Sequence, residues 1–347
     1  MRAVTFQDIG RLAVSEVPVP QLREPDDALV RVTTTAICGS DLHVLHGRIP
    51  GMCAGGVIGH EFIGIVEKVG SQVRNFVEGE RALASFTVPC GRCWYCGRRL
   101  YNLCPDNRVF GYGSFLGDLD GAQAEYVRVP TADLCLHHVD DAMVDEQALF
   151  AGDILATGFD CAAQGRIAPG DTVVVQGCGP VGLCALQAAL TFSPDQVFAI
   201  DTVAARLELA HTLGATPVDA AAVHAPTFVQ ERTEGRGADV VLECVGAPPA
   251  FDAALDLVRR GGRISVMGVY SELEHAIPLG LVFTKGIEIK FCGTANVLGC
   301  WDTVLELVAS GRIDPAAIIS HRLDLSDALQ GYELFESRVA TKVLLKP

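Results

Sequence analysis

Cys90, Cys93, Cys96 and Cys104 stand in the pattern C-x2-C-x2-C-x7-C. Four thiols so close in the chain suit a tetrahedral zinc site with no open coordination position, which makes the role structural. An iron–sulfur cluster also takes four thiolates and competes for the same pattern. A second run with chemistry in it is Gly177-Cys178-Gly179-Pro180-Val181-Gly182, a G-x-G-x-x-G. It follows the apolar stretch Thr172-Val173-Val174-Val175-Gln176 and opens a helical one, the context in which this motif binds a dinucleotide. Gly177 permits the tight turn, Gly179 lets the backbone approach a pyrophosphate, and Gly182 lets helix and strand pack closely. Pro180 and Val181 begin the helix, whose free N–H groups and dipole favour phosphate. Asp201 ends the next apolar run, 19 residues after Gly182. A carboxylate there accepts hydrogen bonds from the adenosine ribose and repels a 2′-phosphate, so NAD is expected over NADP. Arg206 is near enough to admit NADP, and otherwise reads as a helix-surface charge beside the adenine.

A third set is dispersed. Cys38-Gly39-Ser40-Asp41-Leu42-His43 follows an apolar strand, Gly59-His60-Glu61 follows a glycine-rich loop, and Gly152-Asp153 comes some ninety residues later. Cysteine, histidine and carboxylate are all zinc ligands, and three protein ligands leave a fourth position for substrate. Spacing alone does not join these residues.

The elements that must carry them change in texture near Asp153. Before it, short runs such as Leu29-Val30-Arg31-Val32 and Ile63-Gly64-Ile65-Val66 alternate with Pro, Gly and Asp turns, which predicts a β-rich region. After it, strands alternate with helices. Strands are expected at Thr172 to Gln176, Val197 to Ile200, Asp239 to Glu243 and Arg263 to Met267. Helices are expected at Val181 to Leu190, Ala204 to Leu213 and Ala250 to Arg259. That alternation means βαβ units and a doubly wound parallel sheet. Near the C-terminus helices are read from Gly299 to Ala309 and Ser326 to Glu336, with a last strand from Ala340 to Leu345.

A length of 347 residues suggests two domains. The net charge of −15 makes nucleic acid and anionic membrane poor partners, since the one basic knot, Arg92, Arg98 and Arg99, lies within the cysteine cluster. No run reaches the ~18 uncharged apolar residues of a membrane helix. The N-terminus shows no long apolar signal region, so thirteen cysteines point to a reducing compartment, expected to be the cytoplasm, and to metal ligation.

Together the three motif sets resemble the zinc-dependent medium-chain alcohol dehydrogenase family over essentially the whole chain. The resemblance implies an α/β protein. A GroES-like catalytic domain would comprise residues 1–155 and 295–347, with a structural-zinc lobe at 89–105, and a Rossmann NAD-binding domain residues 156–294. It implies two zinc ions per chain, one held by Cys38, His60 and Asp153 and one by Cys90, Cys93, Cys96 and Cys104. Glu61 would stand beside the catalytic metal and be able to exchange onto it. Asp41 would orient the ligating imidazole, and Ser40 and His43 would relay the substrate proton. Phe86 would line the substrate pocket, and Thr157, Val245 and Val269 would meet the nicotinamide. Where many members carry cysteine, this chain has Asp153, a harder and more mobile ligand than thiolate; Asp160 and Cys161 are nearby alternatives.

The expected activity is hydride transfer between a small alcohol or polyol, or the matching carbonyl, and NAD. Formaldehyde-adduct and amino-alcohol oxidation stay open within the same family. A zinc-free quinone or enone reductase is the rival on this fold, and it would lack both ligand sets. A nucleotide sensor that lost the chemistry and a zinc-ribbon nucleic-acid module are further rivals. The chain length resembles bacterial tetramers, so a homotetramer is expected, with a dimer as the alternative through a strand near Ile287 to Phe291.

Overall fold

The computed structural model describes residues 1–347 and divides into two compact units. One comprises Met1–Asp153 and Asn296–Pro347, the other Ile154–Ala295.

In the second unit six strands lie parallel in the order Thr216–Asp219, Gln196–Asp201, Thr172–Gln176, Ala238–Glu243, Val258–Val266, Glu288–Phe291. This is the doubly wound order, which reverses direction beside the first strand in sequence. Thr172–Gln176 and Ala238–Glu243 are buried at every position, as β-branched runs covered on both faces must be. The helix Pro180–Leu190 starts on proline after an extended Gly179, a start preset by the proline ring. It packs against the helix Ile154–Gln164, where a Cβ on Gly158 would lie 2.5 Å from the Ala185 amide. Only a bare glycine permits that approach.

Several boundaries differ from expectation, among them the last strand, which runs Val343–Lys346 where Ala340 to Leu345 is expected. The helix expected from Ala250 to Arg259 runs Pro248–Leu257, and Val258 and Arg259 belong to the next strand. Prolines Pro248 and Pro249 set its start, and Arg259 Nε donates to Asp239 Oδ1 at 2.5 Å, holding Arg259 beside the neighbouring strand.

The first unit is built on a seven-stranded, mainly antiparallel sheet. Its centre is the long strand Ala28–Ile37, which pairs with Glu61–Val69 on one side and with Val343–Lys346 and Tyr126–Val129 on the other. The C-terminal strand therefore lies against the N-terminal region, which makes the unit discontinuous in sequence. Its core includes Val30, Phe62, Val66, Phe110 and Val127.

The strand Ala28–Ile37 runs directly into a short helix, Gly39–Leu45, too brief for an apolar period to reveal. Cys38 is its N-cap, and Asp41 reaches back to accept from the Cys38 amide at 2.9 Å. A carboxylate in the first turn satisfies a donor that would otherwise be orphaned and complements the helix dipole.

Candidate active site

That capping bond does more than end a strand. Asp41 Oδ2 accepts from the Cys38 amide and also from Gln123 Nε2 at 3.0 Å, while Oδ1 lies 3.1 Å from His60 Nδ1. One carboxylate thus fixes Cys38 and turns the other imidazole nitrogen, Nε2, toward Asp153 Oδ2 at 3.1 Å. Cys38 Sγ lies 3.9 Å from the same Asp153 oxygen. Asp153 follows a turn, Leu149–Gly152, that is pressed onto the sheet; a Cβ on Gly152 would stand 2.3 Å from Ala84 O.

Ligand atoms of Cys38, His60, Glu61 and Asp153 all lie within 4.8 Å of one another, and all four residues are buried. The other candidate carboxylate, Asp160, and its neighbour Cys161 are not part of this cluster. Cys161 lies instead against Ser265, its Sγ 3.6 Å from the hydroxyl.

Four donors buried this close, with the Lys342 ammonium paired to Glu61 alone, set their charged forms against one another. Burial pushes the Cys38 thiol above its ordinary value, and Glu61 and Asp153 push it further. Burial likewise raises Glu61, against the pull of Lys342. For His60, burial alone would lower the value, but Asp41 leads the partners that carry it well above 6.5. A divalent cation removes the conflict, since coordination needs thiolate, carboxylate and neutral imidazole. Glu61 Oε2 is buried with no partner, while Oε1 accepts from Lys342 Nζ at 2.5 Å. The donor set fits zinc: nitrogen, sulfur and oxygen ligands, with an acidic neighbour free to approach.

Ser40 Oγ donates to Cys38 Sγ at 3.3 Å and lies 3.4 Å from His60 Nε2. His43 is half-buried one turn further along the helix, and no hydrogen bond joins it to Ser40. Burial lowers its pKa, with Arg48 and His46 adding to the effect. Phe86 presents its ring edge-on to His60 with centroids 5.9 Å apart.

The sequence reading missed four residues here. Tyr112 places a second ring 5.5 Å from His60. Gln123 links Asp41 to Tyr332, whose hydroxyl donates to Gln123 Oε1 at 2.8 Å. Lys342 is wholly buried between Glu61 and the Ile37 carbonyl, to which it donates at 2.9 Å. Its only signal in the sequence is a lysine directly before the apolar run Val343-Leu344-Leu345 of the terminal strand Val343–Lys346.

The second cluster gathers Cys90, Cys93, Cys96 and Cys104, again with ligand atoms within 4.8 Å. Short 3-10 turns, Cys96–Arg98 and Tyr101–Leu103, fold the segment back on itself. Backbone amides point at sulfur, Cys90 N to Cys104 Sγ at 3.3 Å and Cys96 N to Cys93 Sγ at 3.5 Å. The Arg98 guanidinium of the basic knot is spent on the Trp94 ring, 3.8 Å from its centroid.

In the second unit the glycine run makes its turn as expected. Gly177 has φ +89°, and a Cβ on Gly182 would lie 1.8 Å from Gly177 O. A Cβ on Gly179 would meet nothing nearer than Arg206 Nη1 at 4.0 Å, so its backbone face stays open. Asp201 accepts from the amides of Cys178 (2.7 Å), Thr202 (2.7 Å) and Val203 (2.9 Å), which fixes it at the mouth of the turn. Arg206 Nη1 is 4.0 Å from Asp201 Oδ2. Val245 crowds Gly177, where a Cβ would come 2.7 Å from Val245 Cγ2, and both Val245 and Val269 are exposed at the strand ends. Thr157 lies half-buried on the helix Ile154–Gln164.

Comparison with known proteins shows the family. Residues 24–141 match the alcohol dehydrogenase GroES-like domain, and residues 180–310 match the zinc-binding dehydrogenase family. The zinc-type alcohol dehydrogenase-like protein AdhB of Bacillus subtilis is 37% identical over the full length of both chains. The solved alcohol dehydrogenase TADH from Thermus sp. ATN1 is 45% identical with a TM-score of 0.96, covering 100% of this chain and 99% of its own. A zinc-binding dehydrogenase from Sinorhizobium meliloti, solved bound to NADP, is 29% identical with a TM-score of 0.88, covering 100% and 99%. The chain belongs to the zinc-type alcohol dehydrogenases of the medium-chain family, oxidoreductases that combine a GroES-like domain with a Rossmann-like parallel sheet.

Proposed function

We propose that this protein is a zinc-dependent dehydrogenase that transfers hydride between a small alcohol or polyol and NAD. The observation that carries this reading is the buried Cys38–His60–Asp153 set, with Glu61 and Ser40 against it. A zinc-free reductase would have no reason to bury a thiol, an imidazole and two carboxylates together with Lys342 as their one ammonium partner.

Cys38, His60 and Asp153 would hold the catalytic ion, and the four lobe cysteines a second, structural one. When bound, zinc supplies the Lewis acidity that stabilises negative charge on an alcohol oxygen, and the nicotinamide supplies the carbon that accepts hydride. The protein's own residues manage position and protons. Asp41 holds the His60 ring in place. Ser40, two residues from Cys38, takes the alcohol proton and His43 passes it outward. No bond joins those two residues here, so a substrate or coenzyme hydroxyl, or a water, must bridge them. Phe86 and Tyr112 give the site apolar walls that exclude water. The open backbone of Gly179, the helix start at Pro180 and Val181, and Asp201 receive the coenzyme, with Thr157, Val245 and Val269 toward its nicotinamide end. The Asp201 carboxylate favours a free ribose hydroxyl over a 2′-phosphate, which supports NAD; Arg206, 4.0 Å away, is the residue that would admit NADP.

No helix is long and apolar enough to cross a membrane. A homo-oligomer, a tetramer by the family resemblance, is supported by the edge strand Glu288–Phe291. It ends the parallel sheet, and Leu279 and Phe283 beside it are 75% and 87% exposed. An open edge flanked by bare apolar residues is one that a second copy can cover.

The test is elemental analysis alongside NAD and NADP reduction with a panel of alcohols and polyols. About two zincs per chain and chelator-sensitive reduction of NAD are expected. About one zinc and no turnover would return the zinc-free reductase and sensor readings.

A further inference from the structure

Glu243 is the last residue of a strand whose other members are Ala, Asp, Val, Val and Leu, and it is completely buried. Its carboxylate has no cationic partner. Oε1 accepts from the amides of Val245 at 2.8 Å and Gly246 at 2.9 Å, and Oε2 accepts from Tyr270 Oη at 2.9 Å. Burying a carboxylate is expensive unless hydrogen bonds compensate, and here all three donors belong to two loops. One follows the strand Ala238–Glu243, and the other follows the strand Val258–Val266.

The two loops touch backbone to backbone. Gly246 has φ +74°, and a Cβ there would lie 2.5 Å from both the amide and the carbonyl of Val269. A Cβ on Gly268 would fall 2.0 Å from the Gly246 amide. The Glu243 carbonyl accepts from Met267 at 2.8 Å and Gly268 at 3.0 Å, closing the junction from below. The first loop is also tied to the glycine turn, because Cys244 donates to the Gln176 carbonyl at 2.9 Å. Glu243 therefore lies under a platform of three loops that carries Gly177, Val245 and Val269.

We propose that Glu243 and Tyr270 are a positioning pair that fixes this platform before coenzyme binds, an inference resting on the assignment of Val245 and Val269 to the nicotinamide end. A loop ordered in advance spares the coenzyme the cost of ordering it. A hydrophobic residue at position 243 would fill the space but leave two amides and a hydroxyl without partners. Glutamate satisfies all three, and it does so across the two loops.

The experiment is calorimetric titration of the zinc-loaded protein with NADH, paired with hydrogen exchange of the Val245 and Gly246 amides in the absence of coenzyme. Glu243→Ala should raise the Kd for NADH roughly tenfold and Tyr270→Phe about threefold, as lost hydrogen bonds of these kinds do. Both variants should speed exchange at the two amides, and the KM for NAD should rise while the KM for alcohol stays fixed. Glu243→Gln keeps an acceptor oxygen and can donate to the tyrosine oxygen, so it should restore most of the affinity. If wild type binds NADH and both Glu243→Ala and Tyr270→Phe match it in Kd and exchange, the proposal is wrong and the coenzyme assignment survives. If wild type binds neither NADH nor NADPH, both fail together. Should Glu243→Ala not fold, Tyr270→Phe decides alone, since Tyr270 is half-buried and loses only one hydroxyl.

Discussion

The two clusters of candidate metal ligands in the first unit are built on opposite plans. The lobe cluster draws four thiols from a single stretch, Cys90 to Cys104, and folds them together with 3-10 turns and amide-to-sulfur bonds. The other draws Cys38 from a strand end, His60 and Glu61 from the start of the neighbouring strand, and Asp153 from a distant turn. It mixes sulfur, nitrogen and oxygen, and it is surrounded by a supporting layer of Asp41, Gln123, Tyr332 and Lys342. A closed set of identical soft ligands serves stability, and no chemistry is asked of it. A mixed set needs the fold to bring its ligands together and a supporting layer to aim them, and in exchange it can leave a coordination position to substrate.

If the two plans are separate, each cluster can be broken without the other. The largest effect is expected from His60→Ala. It should lower kcat roughly 1000-fold or more, with zinc falling from about two to about one per chain and the thermal midpoint little changed. A variant that kept both zincs would dissolve the distinction. Cys96→Ser attacks the other plan. It should also cost one zinc, but lower the midpoint by about 5–10 °C, while molecules still folded turn over at close to the normal rate. A loss of turnover as deep as that of His60→Ala would mean the lobe also shapes the active site.

The same contrast explains what could be read from the chain. The lobe was legible because its ligands are neighbours in sequence, and the glycine run was legible because a strand and a helix flank it. The parallel sheet announced itself in β-branched runs such as Val173-Val174-Val175. The dispersed site could be joined only through resemblance to a family, since nothing local ties Cys38 to Asp153. Its support was invisible for the same reason. Lys342 lies 281 residues from Glu61, and Tyr332 lies 209 from Gln123. The helix Gly39–Leu45 escaped because seven residues are too few to show a period. The shortened helix end at Leu257 depends on a pairing between Arg259 and Asp239 that only the folded sheet creates.

A smaller effect tests whether the chemistry of the mixed site extends past its ligands. Burial, Arg48 and His46 lower the His43 pKa, so its imidazole is neutral, and able to accept a proton, down to a lower pH than a free one. His43→Ala should therefore slow turnover on the order of 100-fold near neutral pH. The deficit should shrink at high pH, where hydroxide takes the proton instead, with zinc content unaltered. A deficit constant across pH would assign His43 to packing and remove it from the relay.

The smallest effect bears on Asp153, the proposed ligand that stands where the family resemblance implies cysteine in many members. Asp153 makes the mixed site harder in character than the lobe, and a carboxylate holds zinc less tenaciously than a thiolate. A chelator should accordingly take the mixed-site ion first, with activity lost before the midpoint falls. Asp153→Cys adds a soft ligand at the same place and should slow that first phase by about tenfold, leaving the second phase, from the lobe, untouched. The turn that carries position 153 is pinned by the contact of Gly152 with Ala84, so the new thiol starts from the same backbone position. If the first phase does not slow, ligand softness is not what separates the clusters. The greater lability of the mixed site would then come from its open coordination position, which lets a chelator attack zinc before any protein ligand has left.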